Sequence, residues 1–492
     1  MAPRTPQDPD GIRLPVKLDT TSNGEFMPIP LDAIHHHANR LALSTADESA
    51  RHSGLRRRAF LTSACGVATT LLAFNRAYAS LGERGGYFEL EPDAQWDQQL
   101  AAAQVGGNEF IFDVQGHFVN PTGAWTAKLP AEARPLSGLP NASCPAAEGP
   151  GRAYLDCFNA EQFVQDVFID SDTDLMVLSF VPSRSDAEPL TIEEAAATAE
   201  IVEQMQGTHR LLLHGRVNPN QEGDLDAMDE LAEHWGVAAW KTYTQWGPDG
   251  TGFWLDDEDT GIPFLEKARK LGVKIVAIHK GLPFGKESYE HSTCADIGRV
   301  ARRYPDMSFL VYHSGYVAGS AEGPYDPNRE DGVDALVTSL RANGIAPNSN
   351  VYAEMGSTWR YLMRDPDSAA HTLGKLLTYV GEDNVLWGTD SIWYGSPQDQ
   401  IQAFRTFQIA EKLQAMYGYP KMTAELRAKV FGLNALKPYG QHVADLMPHF
   451  SRDTVAQRRE ASRSAPDPHF RTYGPKNRRE FLNLMRWQNG PA

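Results

Sequence analysis

The stretch FIFDVQGHFV, residues 110–119, decides how this chain is read. Phe110, Ile111 and Phe112 make a continuous β-prone apolar run, the pattern of a strand buried on both faces in a parallel sheet. Asp113, Gln115 and His117 then alternate. On a strand that spacing aims all three side chains the same way at the carboxyl end, where an α/β barrel carries its chemistry.

Working outward, strand patterns recur at 175–181 (LMVLSFV), 210–217 (RLLLHGRV), 237–245 (VAAWKTYTQ), 275–279, 309–313, 351–355 and 385–387. Helical patterns lie between them at 192–205, 225–235, 263–271, 295–304, 332–342 and 369–380, and Gly272 follows one of them in a common C-cap position. Counted with 110–112 the strands number eight, which predicts a closed (β/α)8 TIM barrel in the α/β class. An open doubly wound sheet is the other fold that this alternation permits.

Composition agrees with one such barrel plus appendages. The chain has 492 residues, 41% of them hydrophobic, and a barrel takes about 250–400. Its formal net charge of −17 repels phosphate backbones, which argues against nucleic-acid binding and leaves a small-molecule substrate. The cysteines Cys65, Cys144, Cys157 and Cys294 form no CxxC pair and no zinc-ribbon spacing.

The expected boundaries are 1–79 for a polar, disordered leader, 80–107 for an N-terminal extension, 108–440 for the barrel and 441–492 for a helical tail. Residues 1–50 are polar and carry the tract His35-His36-His37, read as a solvated biased segment. Arg57-Arg58-Ala59-Phe60-Leu61 resembles the twin-arginine export signature and opens an apolar run, 60–74, too short to span a bilayer. Ala77-Tyr78-Ala79 suits a signal peptidase, with cleavage expected after Ala79. The resemblance implies the twin-arginine export machinery as a partner and a periplasmic or secreted protein, cytoplasmic if the leader is not functional. The competing reading is a short buried helix with a basic start. In an oxidising compartment, Cys144 and Cys157 would be placed to bridge across a Pro/Gly-rich loop; two unrelated thiols are the alternative.

Chemistry-bearing residues sit at the strand ends: Gln115 and His117 on the first, Lys241 on the fourth, His279 on the fifth, His313 on the sixth and Asp390 after the eighth. A lone histidine after a strand is usually a structural residue. Several at equivalent ends would converge on one mouth of a closed barrel, where imidazole and carboxylate can meet a divalent ion.

In this pattern the chain resembles the metal-dependent amidohydrolase superfamily, and most closely the amidohydrolase-related group that includes decarboxylases acting on aminocarboxymuconate semialdehyde and resorcylate. Asn218-Pro219 and Phe431-Gly432-Leu433-Asn434-Ala435 look like that branch as well. The resemblance implies that His117 and His279 are metal ligands, that Asp390 is both a ligand and the acceptor of a proton from metal-bound water, and that His313 is either a ligand or a group orienting water and substrate. Dimerisation is common in the family, so a homo-oligomer is expected. Gln115 departs from the family's His-x-His as a weaker, neutral ligand. One divalent ion, foremost Zn²⁺ with Mn²⁺ as another candidate, is therefore expected rather than two. Lys241 is read as a cation for a substrate carboxylate or a simple surface lysine. Arg216 could pair with an anionic substrate or brace a neighbouring carboxylate, Glu354 could support the ligands, and Trp393 stands among aromatics suited to a flat substrate. The segment 120–154 is long enough to form a lid.

The expected activity is hydrolysis of an ester, lactone or amide bond. Non-oxidative decarboxylation of an aromatic or unsaturated acid is the alternative, and a catalytically silent ligand-binding barrel is a third.

Overall fold

Eight parallel strands run in sequence order around the sheet: β1 (Phe112–Gly116), β2 (Leu175–Leu178), β3 (Leu211–Arg216), β4 (Ala239–Tyr243), β5 (Ile275–His279), β6 (Ser308–Tyr312), β7 (Val351–Glu354) and β8 (Val385–Leu386). They come from a computed structural model, which describes residues 8, 10–128, 155–206, 209–283, 289–464 and 471–487. The last strand returns to the first. Val114 N–H donates to Trp387 O at 3.1 Å, Asp390 N–H to Gln115 O at 3.0 Å, and Gly116 bridges Ser391 in parallel. This closure selects the (β/α)8 barrel over the open sheet; seven strands lie where the sequence placed them, and β1 covers Phe112–Gly116 instead of 110–112.

The helices between the strands cover the outside, among them Gly261–Leu271, Gly332–Ala342 and Pro366–Lys375. Phe112, Val114, Leu175, Ala277, Leu310 and Leu386 fill the interior, fully buried. The Phe431–Ala435 motif locks β8 in place. Phe431 packs edge-on against Trp387 at 4.9 Å between ring centroids, and Asn434 Nδ2 donates to the carbonyls of Glu382 and Val385, both at 2.8 Å. Gly432 is needed for close approach, since a Cβ there would strike the Phe110 carbonyl.

The N-terminal segment departs from the expected disordered leader: it is folded onto the barrel. In LPVKL, Leu14, Val16 and Leu18 alternate and are buried, an extended run with one face on the core. It leads into α1 (Ala33–His52), α2 (Arg57–Leu61) and α3 (Ala64–Ala79). Asp32 caps α1, accepting from Ile34 N and His35 N. Arg57 pairs with Asp47 at 2.9 Å, and Phe60, Val67, Ala68, Leu71 and Phe74 are buried. The apolar run 60–74 thus spans the end of α2 and most of α3, with its large apolar side chains buried. The histidine tract contributes a structural residue, because His35 lies 2.8 Å from Asp32 and 3.0 Å from the Arg364 carbonyl. No helix among the described residues is long and apolar enough to cross a membrane.

The tail contains Val443–Phe450, Thr454–Ser464 and Arg478–Trp487. It grips the amino-terminal ends of the strands, where Arg210 donates to Asp453 at 2.5 Å and to the Phe450 carbonyl at 2.8 Å. It then reaches the opposite mouth, where Tyr473 N–H donates to Trp393 O. Most of the expected lid, and Cys144, lie outside the described residues; Cys157 is disulfide-bonded.

Candidate metal centre

The barrel mouth gathers the predicted residues. His117 Nδ1 donates to the Ser179 carbonyl at 2.9 Å, which turns Nε2 inward to 3.2 Å from Asp390 Oδ1. His313 Nδ1 donates to the Gly356 carbonyl at 2.6 Å, leaving its Nε2 lone pair on the same centre. Gln115 lies between them, with Nε2 3.1 Å from Asp390 Oδ1 and 3.4 Å from each of His117 Nε2 and His313 Nε2. His279 stacks on Tyr243 at 4.7 Å and meets His313 edge-on at 4.5 Å.

One participant was not legible from the motif. Glu25, in the segment read as a leader, reaches in with Oε1 3.4 Å from His279 Nδ1 and Oε2 3.7 Å from His313 Nε2. Glu25, His279 and His313 offer ligand atoms within 4.8 Å of one another, a metal-competent group among the described residues. Asn23 Nδ2 donates both to Glu25 Oε2, at 2.5 Å, and to Asp390 Oδ2, at 2.7 Å. His117 and Asp390 pair with each other beside this group.

The surroundings fit a divalent ion. Burial, then the nearby Asp390 charge, pushes the Glu25 carboxyl well above its usual range. Burial opposes ionisation of Asp390 as well, but hydrogen bonds and charge from His117, with His313 and Ser357, hold it below its usual value. Glu354 is pushed up to about 8 and Asp113 to about 7, both by burial. Three buried carboxyl groups, Glu25, Glu354 and Asp390, with Lys241 as their cationic neighbour leave a place for a cation. The buried Gln115 Oε1 has no hydrogen-bond partner among the described residues, so this carbonyl is also available as a donor atom. The imidazole nitrogens of His279 and His313 with the Glu25 carboxylate form a mixed N/O set of the kind such ions take.

The backbone holds this arrangement under strain. His313, Ser314, Ser357 and Asp390 all have positive φ, between 53° and 62°, without being glycine. Each such residue costs on the order of 1–3 kcal/mol and is kept where surrounding bonds over-determine it. Those bonds are visible. Glu354 accepts from His313 N at 3.0 Å and from Gly356 N, and Ser357 Oγ donates to Asp390 Oδ2 at 2.5 Å. Gly388 leaves room for Glu354, whose carboxyl a Cβ would hit. Asp113 ties β1 to the loop after β8, accepting from Gln115 N at 3.0 Å, Thr389 N at 3.1 Å and Thr389 Oγ1. Asp113→Ala is expected to cost about 1–3 kcal/mol in denaturant unfolding, because it strands these donors; an unchanged midpoint would contradict that role.

The remaining candidates divide. Lys241 is fully buried in the mouth, not on the surface, with Nζ 3.8 Å from the Tyr312 ring centre and 4.5 Å from that of Tyr243. Arg216 is braced, its guanidinium bonded to Glu188 at 2.8 Å and Asp224 at 2.9 Å. Glu354 supports the His313 and Gly356 backbone as described. Trp393 is buried against Phe158 at 4.8 Å, with His117 at 6.5 Å.

The amidohydrolase family profile matches residues 112–441, the whole barrel. The chain belongs to the amidohydrolase family. No curated protein matches its sequence. Among solved structures, it is similar to 2,6-dihydroxybenzoate decarboxylase from Rhizobium, with 15% identity over 68% of this chain and 99% of that one and a TM-score of 0.40. It is also similar to 5-carboxyvanillate decarboxylase from Novosphingobium aromaticivorans complexed with manganese, with 14% identity, 69% and 97% coverage and a TM-score of 0.45. An amidohydrolase from Mycobacterium avium subsp. paratuberculosis gives 14% identity, 69% and 100% coverage and a TM-score of 0.40.

The expected main activity, hydrolysis of an ester, lactone or amide, is corrected by these comparisons: the two structures named for a reaction on a stated substrate are decarboxylases. Asp390 meets Gln115 and His117 through Oδ1 and Asn23 and Ser357 through Oδ2.

Proposed function

We propose that this protein is a metal-dependent carbon–carbon lyase that decarboxylates an aromatic or unsaturated carboxylic acid without an oxidant. The observation that carries this reading is Lys241. Its buried ammonium has no hydrogen-bond partner among the described residues. Burial lowers its pKa to about 7, against the upward pull of Glu25, Glu354 and Asp390. A buried cation without a bonded anion is costly, and a substrate carboxylate would complete it. The faces of Tyr243 and Tyr312 beside it suit a flat, conjugated acid.

A divalent ion held by the His279 and His313 imidazoles with a neighbouring carboxylate would supply a Lewis acid that fixes the substrate's oxygen atoms. Imidazole and carboxylate donors accept Zn²⁺ and Mn²⁺ alike, so the proposal is for this class of ion. Lys241 orients the carboxylate. The carbon that bears it takes the proton shared between His117 and Asp390, the bond to the carboxyl carbon breaks, and its electron pair returns to the conjugated system as CO2 leaves. The Gly356 carbonyl holds His313 in its inward tautomer, and Glu354 fixes its backbone.

The test is a panel of hydroxybenzoates, other unsaturated acids and lactones, assayed in parallel for CO2 release and for ring opening. CO2 from an acid, lost by about 10²-fold or more in Lys241→Met, is the expected result. Lactone or ester turnover without CO2 would overturn the proposal.

A further inference from the structure

Resting on the metal reading above, we propose that segment 14–26 is a permanent strap across the barrel mouth and that its Glu25 supplies the anionic metal ligand which β1, carrying neutral Gln115, does not. The two inward imidazoles, His279 and His313, carry no charge to offset a divalent ion. Asp390 is committed to His117, Gln115, Asn23 and Ser357. Glu25 is the carboxylate that shares the 4.8 Å group with both imidazoles.

The strap is built to deliver it. A tight turn runs from Ser22 to Phe26, with Ser22 Oγ donating to the Phe26 carbonyl at 2.5 Å. Gly24 sits at its apex with φ 93°, a conformation that side chains rarely adopt. The turn drives Glu25 inward, and Asn23 steadies it from both sides, donating to its carboxylate and accepting from its N–H at 2.9 Å.

The anchoring is that of a permanent wall and not of a removable plug. Arg360, itself buried, donates to Asp19 at 2.7 Å and to the Lys17 carbonyl at 2.9 Å. Tyr361 OH donates to the Thr21 carbonyl at 2.6 Å, and its ring meets Phe26 edge-on at 4.7 Å. Ser22 N–H donates to Pro475 O at 2.9 Å, which ties the strap to the C-terminal tail. Cleavage after Ala79 would strip Arg360 of Asp19 and take Glu25 from the site. The mature, metal-loaded enzyme therefore keeps these residues.

The experiment uses the full chain and Mn²⁺ alone as the probe, with free Mn²⁺ read by electron paramagnetic resonance, and needs no substrate. Wild type is expected to bind one ion, and Glu25→Gln to bind it at least about 100-fold more weakly, beyond the 10–100-fold range of a group that only orients a ligand. Adding Gln115→Glu to Glu25→Gln should restore most of the affinity by returning the carboxylate from β1. Circular dichroism and thermal melting verify folding, and Glu25→Asp, which keeps the charge if the fold objects to Gln, should retain binding. Undiminished affinity in Glu25→Gln alongside loss in His279→Ala would overturn the role of Glu25 while leaving the metal reading intact. A wild-type chain without Mn²⁺ affinity would overturn both. Intact mass of the loaded protein completes the test: a chain beginning after Ala79 that still binds one ion would end the proposal.

Discussion

Asp390→Asn is expected to reduce CO2 release by about 10²- to 10⁴-fold, the range that a positioned proton donor or acceptor contributes. The substitution keeps the shape and can keep the contacts to Ser357 and Asn23 through its amide. It removes the charge that holds a proton on the 3.2 Å contact with His117 Nε2. Without that proton the carbon losing CO2 has no donor, and the bond electrons have nowhere to settle. Because the side chain is isosteric, the melting temperature should move little, which separates lost chemistry from lost fold. Single-turnover CO2 release on the best acid of the panel measures the effect. Activity within about threefold of wild type would remove Asp390 from the proton path, since even a weak general acid is worth more than that.

The largest effect on stability is expected at Arg360→Met. Breaking one side of a buried ion pair costs about 3–5 kcal/mol because the remaining charge is left without compensation. Arg360 serves both Asp19 at 2.7 Å and Asp399 at 3.1 Å, and Lys17 reaches Asp399 at only 3.5 Å. A fall in melting temperature of roughly 3–5 °C follows for a chain of this size. Asp19→Leu added to Arg360→Met should recover part of it, since a well-packed apolar pair is often no worse than the ions it replaces.

The same pair sets an acid limit. Burial opposes charge on Asp19, but Arg360, then Lys476, Thr472 and Lys17, hold its carboxyl well below the ordinary value of 3.8. A carboxyl depressed in the folded state stabilises it above the unfolded value and loses that contribution as pH falls below it. The strap should therefore loosen on acidification from about pH 4 downward, detected as proteolytic cutting within 14–26 before the barrel melts. Simultaneous loss of both would show that strap and barrel unfold as one unit.

The sequence by itself determined the barrel and the ring of donors at its mouth. Each strand is a short β-prone run, six of them are followed by a helical pattern, and the polar residues that end several of them are local to those strands. His117, His279, His313 and Asp390 could therefore be placed without coordinates, because a closed barrel maps strand ends onto one rim. Tertiary structure decided what no window along the chain contains. The apolar run 60–74 reads alike as a signal segment and as a core helix, and its burial against α1 is a property of the fold alone. Arg216 carries the same charge whether it faces a substrate or, as here, Glu188 and Asp224. Lys241 becomes a buried cation only because the barrel closes around it. Glu25 stands 254 residues before His279 in the chain, and no periodicity links them; the alternation of Leu14, Val16 and Leu18 was the one local sign that its segment is not a free leader. Ligand geometry is a long-range property: it depends on which parts of the chain pack together, and packing is paid for by burial that no local pattern records.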